Sequence, residues 1–123
     1  MNNEIKIKRI YELPDTKDGY RILVDRLWPR GVKKANAVLN EWNKEIAPSP
    51  ELRIWFAHKP EHFEQFTKLY SAELDNKKDE LLRLKHISKT QNLTLLYAAK
   101  SETINHARIL LNKIKHITLI KKN

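Results

Sequence analysis

The chain contains no cysteine, which excludes disulfides, thiolate-held metals and cysteine nucleophiles and fits a reducing compartment. Glycine is almost as scarce, with only Gly19 and Gly31, so there is no glycine-rich loop of the kind that cradles phosphates. Serine nucleophile elbows, EF-hand loops and zinc-finger spacings are also missing. No apolar run approaches the roughly 20 residues that span a bilayer. The first residues, Met1-Asn2-Asn3-Glu4-Ile5-Lys6, lack the apolar centre of a signal peptide. These absences read as a cytoplasmic chain with no membrane partner. With no repeat, low-complexity stretch or Gly/Ser linker, residues 1–123 read as one domain.

Acids are outnumbered: 15 Asp and Glu against 24 Lys and Arg give a net charge of +9. Such a surplus favours anionic partners, whether nucleic acid or small phosphorylated molecules. The lysines are spread along the chain, however, with doublets at Lys33-Lys34, Lys77-Lys78 and Lys121-Lys122 rather than a basic arm. A solvated lysine-rich surface explains them equally well.

Ile5, Ile7 and Ile10 alternate with Lys6, Lys8 and Arg9, the pattern of a half-exposed strand. Leu13 to Gly19 is turn material, and Tyr20-Arg21-Ile22-Leu23-Val24 suits a central strand. Val38, Leu39, Trp42 and Ile46 stand at helical spacing and predict a short helix. Ser49, Pro50 and Glu51 form a helix start, with Leu52, Trp55 and Phe56 on its apolar face. A longer helix from Pro60 carries Phe63, Phe66, Tyr70 and Leu74, and residues 77–87 continue as another, with Leu81, Leu82 and Leu84 as core. Residues 92–99 are the clearest buried strand. A last helix is expected over 102–115, followed by a short strand over 116–120. Strands separated by helices predict an α/β fold, a compact single domain with a small, mainly parallel sheet flanked by helices.

Several of these segments together resemble the YeaO-like branch of the family called domain of unknown function 488. They are Arg21-Ile22-Leu23-Val24-Asp25-Arg26-Leu27-Trp28-Pro29-Arg30-Gly31, Trp42, Ala47-Pro48-Ser49 and Leu52-Arg53-Ile54-Trp55-Phe56-Ala57-His58. Phe63, Phe66, Tyr70, Glu73 and Leu74 follow, then Leu95-Leu96-Tyr97-Ala98-Ala99-Lys100 and Asn105-His106-Ala107. The resemblance implies a compact α/β fold and brings no established activity. Ala57 stands where the family usually has glycine, and Ser101 where an aspartate commonly follows the strand.

In an open α/β sheet, ligands sit beyond the carboxyl ends of the strands. One strand delivers Asp25, Arg26, Trp28 and Arg30 there; another delivers Tyr97 and Lys100, then Ser101, Asn105 and His106. If these strands are parallel neighbours, the groups converge. Arg26, Arg30 and Lys100 would then bind an anion, with Tyr97 and Asn105 as further contacts and Trp28 as a stacking platform. Gly31 would let backbone come close to a ligand, and a helix start near Ser101 would add N–H donors. Asp25, His58 and His106 are the candidates for proton transfer. The plainer alternative is structural: Asp25 pairs with an arginine to pin the loop, Trp28 and Pro29 pack as a lid, and His58 complements a helix C-terminus. His58 and His62 are four apart, but Pro60 between them breaks the helix that a metal pair would need. No metal and no cofactor is implied.

The leading expectation is therefore a protein that binds, or binds and acts on, a small anionic or phosphorylated ligand at the C-terminal edge of its sheet. The alternative is a basic nucleic-acid-binding or regulatory module without catalysis, although no helix-turn-helix, RNA-recognition or OB pattern is present.

Overall fold

The computed structural model describes residues 3–118. It is an α/β fold built on four parallel strands in the order β1-β4-β2-β3. The strands are β1 (Ile5–Arg9), β2 (Tyr20–Leu23), β3 (Glu41–Trp42) and β4 (Leu93–Tyr97). The helices are α1 (Lys34–Ala37), α2 (Pro50–Phe56), α3 (Phe63–Asp75), α4 (Lys78–Thr90) and α5 (His106–His116). Among the described residues, no helix is long and apolar enough to cross a membrane.

Alternation along the strands sends their side chains to two different environments. Ile22, Val24, Leu93, Leu95 and Tyr97 face the core formed with α2 to α5. Within that core Phe56 stacks on Phe66 at 4.0 Å, and Phe66 lies 5.8 Å from Tyr70. Tyr70 is fully buried, and its hydroxyl donates to the Ile46 carbonyl at 2.7 Å, so the ring needs no water. Leu23 and Leu96 point the other way, into a smaller cluster with Ile10 and Ala37 that Trp28 and Trp42 cover.

That second side also holds a buried ionic network. Asp18, 1% exposed, takes Arg21 at 2.5 Å and Lys8 at 3.0 Å, with Lys6 at 3.5 Å. The Arg21 guanidinium also donates to the Val38 and Ala37 carbonyls, and the Thr94 hydroxyl donates to the Asp18 carbonyl. Between them, Asp18 and Arg21 bind the loop before β2 to α1 and to the start of β4. Gly19 follows Asp18 with a positive φ of 64°, and any β-carbon there would run into the Asn92 carbonyl. Only glycine fits.

The expected strands over residues 5–10, 20–24 and 92–99 are present as β1, β2 and β4, and the Ser49 hydroxyl caps α2 by accepting from Leu52 N. The expected helix through Val38, Leu39, Trp42 and Ile46 is not. The helix there, α1, ends at Ala37, because Val38 turns left-handed at φ 50° and the chain then joins the sheet. Asn40 imitates a neighbouring strand, its amide and side-chain oxygen both bonding the Arg21 backbone, and β3 pairs with Ile22 and Leu23. The last helix starts at His106 rather than 102, since Ser101 closes a separate turn by accepting from Thr103 N and Ile104 N. The expected strand over 116–120 is not found where it can be seen: His116 belongs to that helix and Ile117 and Thr118 form no strand, while 119–120 lie outside the described residues.

Burial alone would raise the Asp18 carboxyl, but a backbone hydrogen bond at Asp15 and those from Lys8 and Arg21 outweigh it and hold the group at about 2, against an ordinary value of 3.8. A depressed carboxyl stabilises the fold fully above its unfolded value, and that contribution fades as pH falls from 3.8 toward 2. Asp18→Asn should cost about 3 kcal/mol at neutral pH, because Lys8 and Arg21 lose their counterion. Acid unfolding followed by circular dichroism should also show a shallower pH dependence in that window. An unchanged profile would contradict this account of the network.

Candidate functional site

β2 and β4 are hydrogen-bonded parallel neighbours, so both deliver their C-terminal residues to the same edge. Asp25 follows β2 and stands at the junction. Its Oδ2 accepts from the Ala98 amide at 3.0 Å, just past the end of β4. Its Oδ1 lies 3.2 Å from His106 Nε2, at the start of α5. The same imidazole nitrogen is 3.0 Å from the Val24 carbonyl. Nε2–H therefore donates to Val24 and leaves Asp25 Oδ1 buried beside it without a hydrogen bond of its own. The Asp25 carbonyl is held as well, accepting from Trp42 Nε1 at 2.8 Å. One residue thus joins the ends of β2 and β4, the first turn of α5 and the edge strand β3.

The remaining candidates divide into held and free groups. Arg26 donates to the Pro48 carbonyl at 3.1 Å and reaches Ala47 and Glu45 less closely, pinning the loop to the segment before α2. Trp28 donates to the Val32 carbonyl and meets Trp42 edge-on at 5.2 Å. Asn105 is buried as the cap of α5: its oxygen accepts from Arg108 N and its amide donates to the Ser101 carbonyl. Tyr97 lies in the helix-side core, where burial raises its hydroxyl above the ordinary value. Arg30 and Lys100 are exposed, and neither forms an ion pair among the described residues. Gly31 has a positive φ of 78°, but its surroundings are open, so no close approach requires it.

His58 is exposed beyond the end of α2, with its ring 5.9 Å from Phe56 and no hydrogen bond to Asp25 or His106. Ala57 and His58 both adopt left-handed backbone, at φ 49° and 58°, where the family's usual glycine would be unstrained. His62 stacks on Trp55 at 4.4 Å.

Two groups at this edge were not singled out in the sequence. Tyr11, 47% exposed, donates its hydroxyl to the Arg30 carbonyl at 2.9 Å. Arg9 lies over the Tyr11 ring at 4.9 Å while donating to the Ala99 carbonyl at 2.9 Å. Their only sequence signal is position, immediately at the end of a strand that leads to the same edge. Two surface clefts elsewhere, of about 840 and 570 Å³, are lined by residues between β3 and the α3–α4 junction and by residues of α2 and α3.

This is a parallel α/β domain whose strand ends are tied together by a carboxylate and an imidazole, with free cations beside them. The chain belongs to the YeaO-like domain of unknown function 488 family: residues 4–122 match the family model described as the inactive DUF488-N3 subclade. It is 49% identical over 113 residues to the uncharacterized protein YeaO of Escherichia coli K12, covering 92% of this chain and 98% of that one. It is 37% identical over 106 residues to the uncharacterized proteins Rv3073c of Mycobacterium tuberculosis H37Rv and Mb3100c of Mycobacterium bovis, covering 86% of this chain and 89% of each. No solved structure matches it.

Removing the junction should loosen the edge. Asp25→Ala leaves the Ala98 amide unsatisfied and should cost about 2 kcal/mol in urea unfolding. Asn105→Ala, which removes a helix cap, should cost about 1 kcal/mol. An Asp25→Ala variant as stable as the parent would show that the carboxylate is not part of the frame.

Proposed function

We propose that the C-terminal edge of the sheet binds a small anionic or phosphorylated ligand and does not transform it. The observation that carries this reading is the contrast among the cations there. Arg9 and Arg26 are engaged by backbone carbonyls, whereas Arg30 and Lys100 are exposed and free of ion pairs among the described residues. Tyr11 links the two sides, since it bonds Arg30 and lies under Arg9, which in turn bonds Ala99 next to Lys100. A guanidinium and an ammonium at an open edge suit phosphate oxygens, the first by its planar fork and the second as a point charge.

Binding without turnover accords with the state of the two groups best suited to proton transfer. Asp25 Oδ2 is taken by Ala98, and His106 Nε2 is directed to the Val24 carbonyl, so the pair holds the frame instead of facing a ligand. His58 has no place in the cluster. The family description, an inactive subclade, agrees with such a reading.

Titration with inorganic phosphate and pyrophosphate, followed by amide chemical shifts, tests it. The shifts should centre on residues 30–31 and 98–101, and the double variant Arg30→Ala/Lys100→Ala should weaken pyrophosphate binding at least about tenfold, as expected for two lost charge-assisted contacts. Shifts centred elsewhere, or affinity unchanged in the double variant, would overturn the proposal.

A further inference from the structure

Between Asp25 and Glu41 the chain carries no acid at all, yet it holds Arg26, Arg30, Lys33 and Lys34. Arg30, Lys33 and Lys34 are exposed, and none of the three forms an ion pair among the described residues. Cations strung along a loop suit a ligand whose negative charges are also strung out.

Tyr11 supplies the second, independent element. Surface tyrosines are ordinarily mobile, but this one is held at its hydroxyl and on one ring face while the residue remains 47% exposed. Its hydroxyl is anchored to the Arg30 carbonyl, and the Arg9 guanidinium lies over the ring. Arg9 cannot drift, since its Nε and Nη2 are held by the Ala99 and Ala98 carbonyls at 2.9 and 3.4 Å. An aromatic ring that is already ordered loses little freedom when a flat group stacks on it. Of the acids at this edge, Glu12 turns its carboxylate back to accept from Arg9 N, Asp25 is engaged by the Ala98 amide, and Glu102 is exposed beyond Lys100.

We propose that the ligand of this edge is single-stranded nucleic acid: Tyr11 stacks an unpaired base, and Arg30, Lys33, Lys34 and Lys100 contact successive phosphates. Duplex DNA or RNA does not fit the same description, since its bases are already stacked and offer no face to Tyr11. This rests on the anion-binding reading above and gives it a substrate class.

The test uses the full chain and a fluorescein-labelled oligothymidine of about 12 nucleotides, within the span of a single-domain site. An abasic strand of the same length, pyrophosphate and phosphatidylserine vesicles serve as comparators. Anisotropy should show binding at low salt that weakens as salt rises, with a log–log slope of about −0.7 for each phosphate contacted. Tyr11→Ala should weaken binding of the oligothymidine about tenfold and leave the abasic strand unaffected, as the loss of one stacked base requires. Tyr11→Phe, which keeps the ring, should retain most of the affinity. Lys33→Glu/Lys34→Glu, at exposed positions where misfolding is not a concern, should weaken both strands and flatten the slope. Equal affinity for the abasic strand, or Tyr11→Ala binding as well as the parent, would overturn the proposal. So would binding to vesicles without binding to the oligonucleotide. Pyrophosphate binding without oligonucleotide binding would overturn it and leave the anion reading standing, whereas binding of neither would remove both.

Discussion

A parallel sheet leaves its strand ends with a problem, because each strand stops with backbone groups pointing at an edge that no hairpin closes. In this chain the carboxylate of Asp25 meets that need. It accepts the Ala98 amide past β4, it lies against the imidazole that satisfies Val24 past β2, and its own carbonyl receives the Trp42 indole beside β3. Three strands and α5 are registered at one residue. An unsatisfied amide or carbonyl in such a place costs more than the bond itself returns, so removing one partner disturbs all the others. The same arrangement explains why a carboxylate–imidazole pair here has a structural reading: both groups are already engaged by backbone.

The opposite end of the sheet depends on a second buried carboxylate. Asp18 gathers Lys6, Lys8 and Arg21, and through Arg21 it holds α1 and the strained Val38 in place. Left-handed backbone at a β-branched residue is uncommon, and here its carbonyl is a partner of a buried guanidinium. The two carboxylates differ in what surrounds them. Asp18 lies among three cations and is held strongly acidic, whereas Asp25 has an imidazole and an amide.

Much of this was legible in the sequence where local pattern and tertiary demand agree. The alternation in β1, the apolar run of β4 and the Ser49-Pro50-Glu51 start of α2 each signal their own conformation. The spacing of Phe66, Tyr70 and Leu74 also marks the buried face of α3. The meeting of Asp25 with His106 follows once β2 and β4 are parallel neighbours, which they are. The spacing of Val38, Leu39, Trp42 and Ile46 signals a helix, but edge pairing to β2 overrides it. That pairing depends on Asn40 and Arg21, which are 19 residues apart. Asp18 looked like ordinary turn material, since nothing local reveals that Arg21 and Lys8 will be buried around it. Tyr11 was invisible for a similar reason: its partners Arg9 and Arg30 lie on different elements.

Family membership places the chain among uncharacterized proteins and assigns no reaction, so the account stands on its central structural claim that Asp25 fastens the strand ends at the edge. Amide hydrogen exchange at Ala98 measures that claim directly. Ala98 lies beyond the last residue of β4, and among the described residues only the Asp25 carboxylate holds its N–H. The amide should exchange as slowly as those within β4. Exchange as fast as that of exposed Lys100 would show that the carboxylate does not hold it, and would contradict the account.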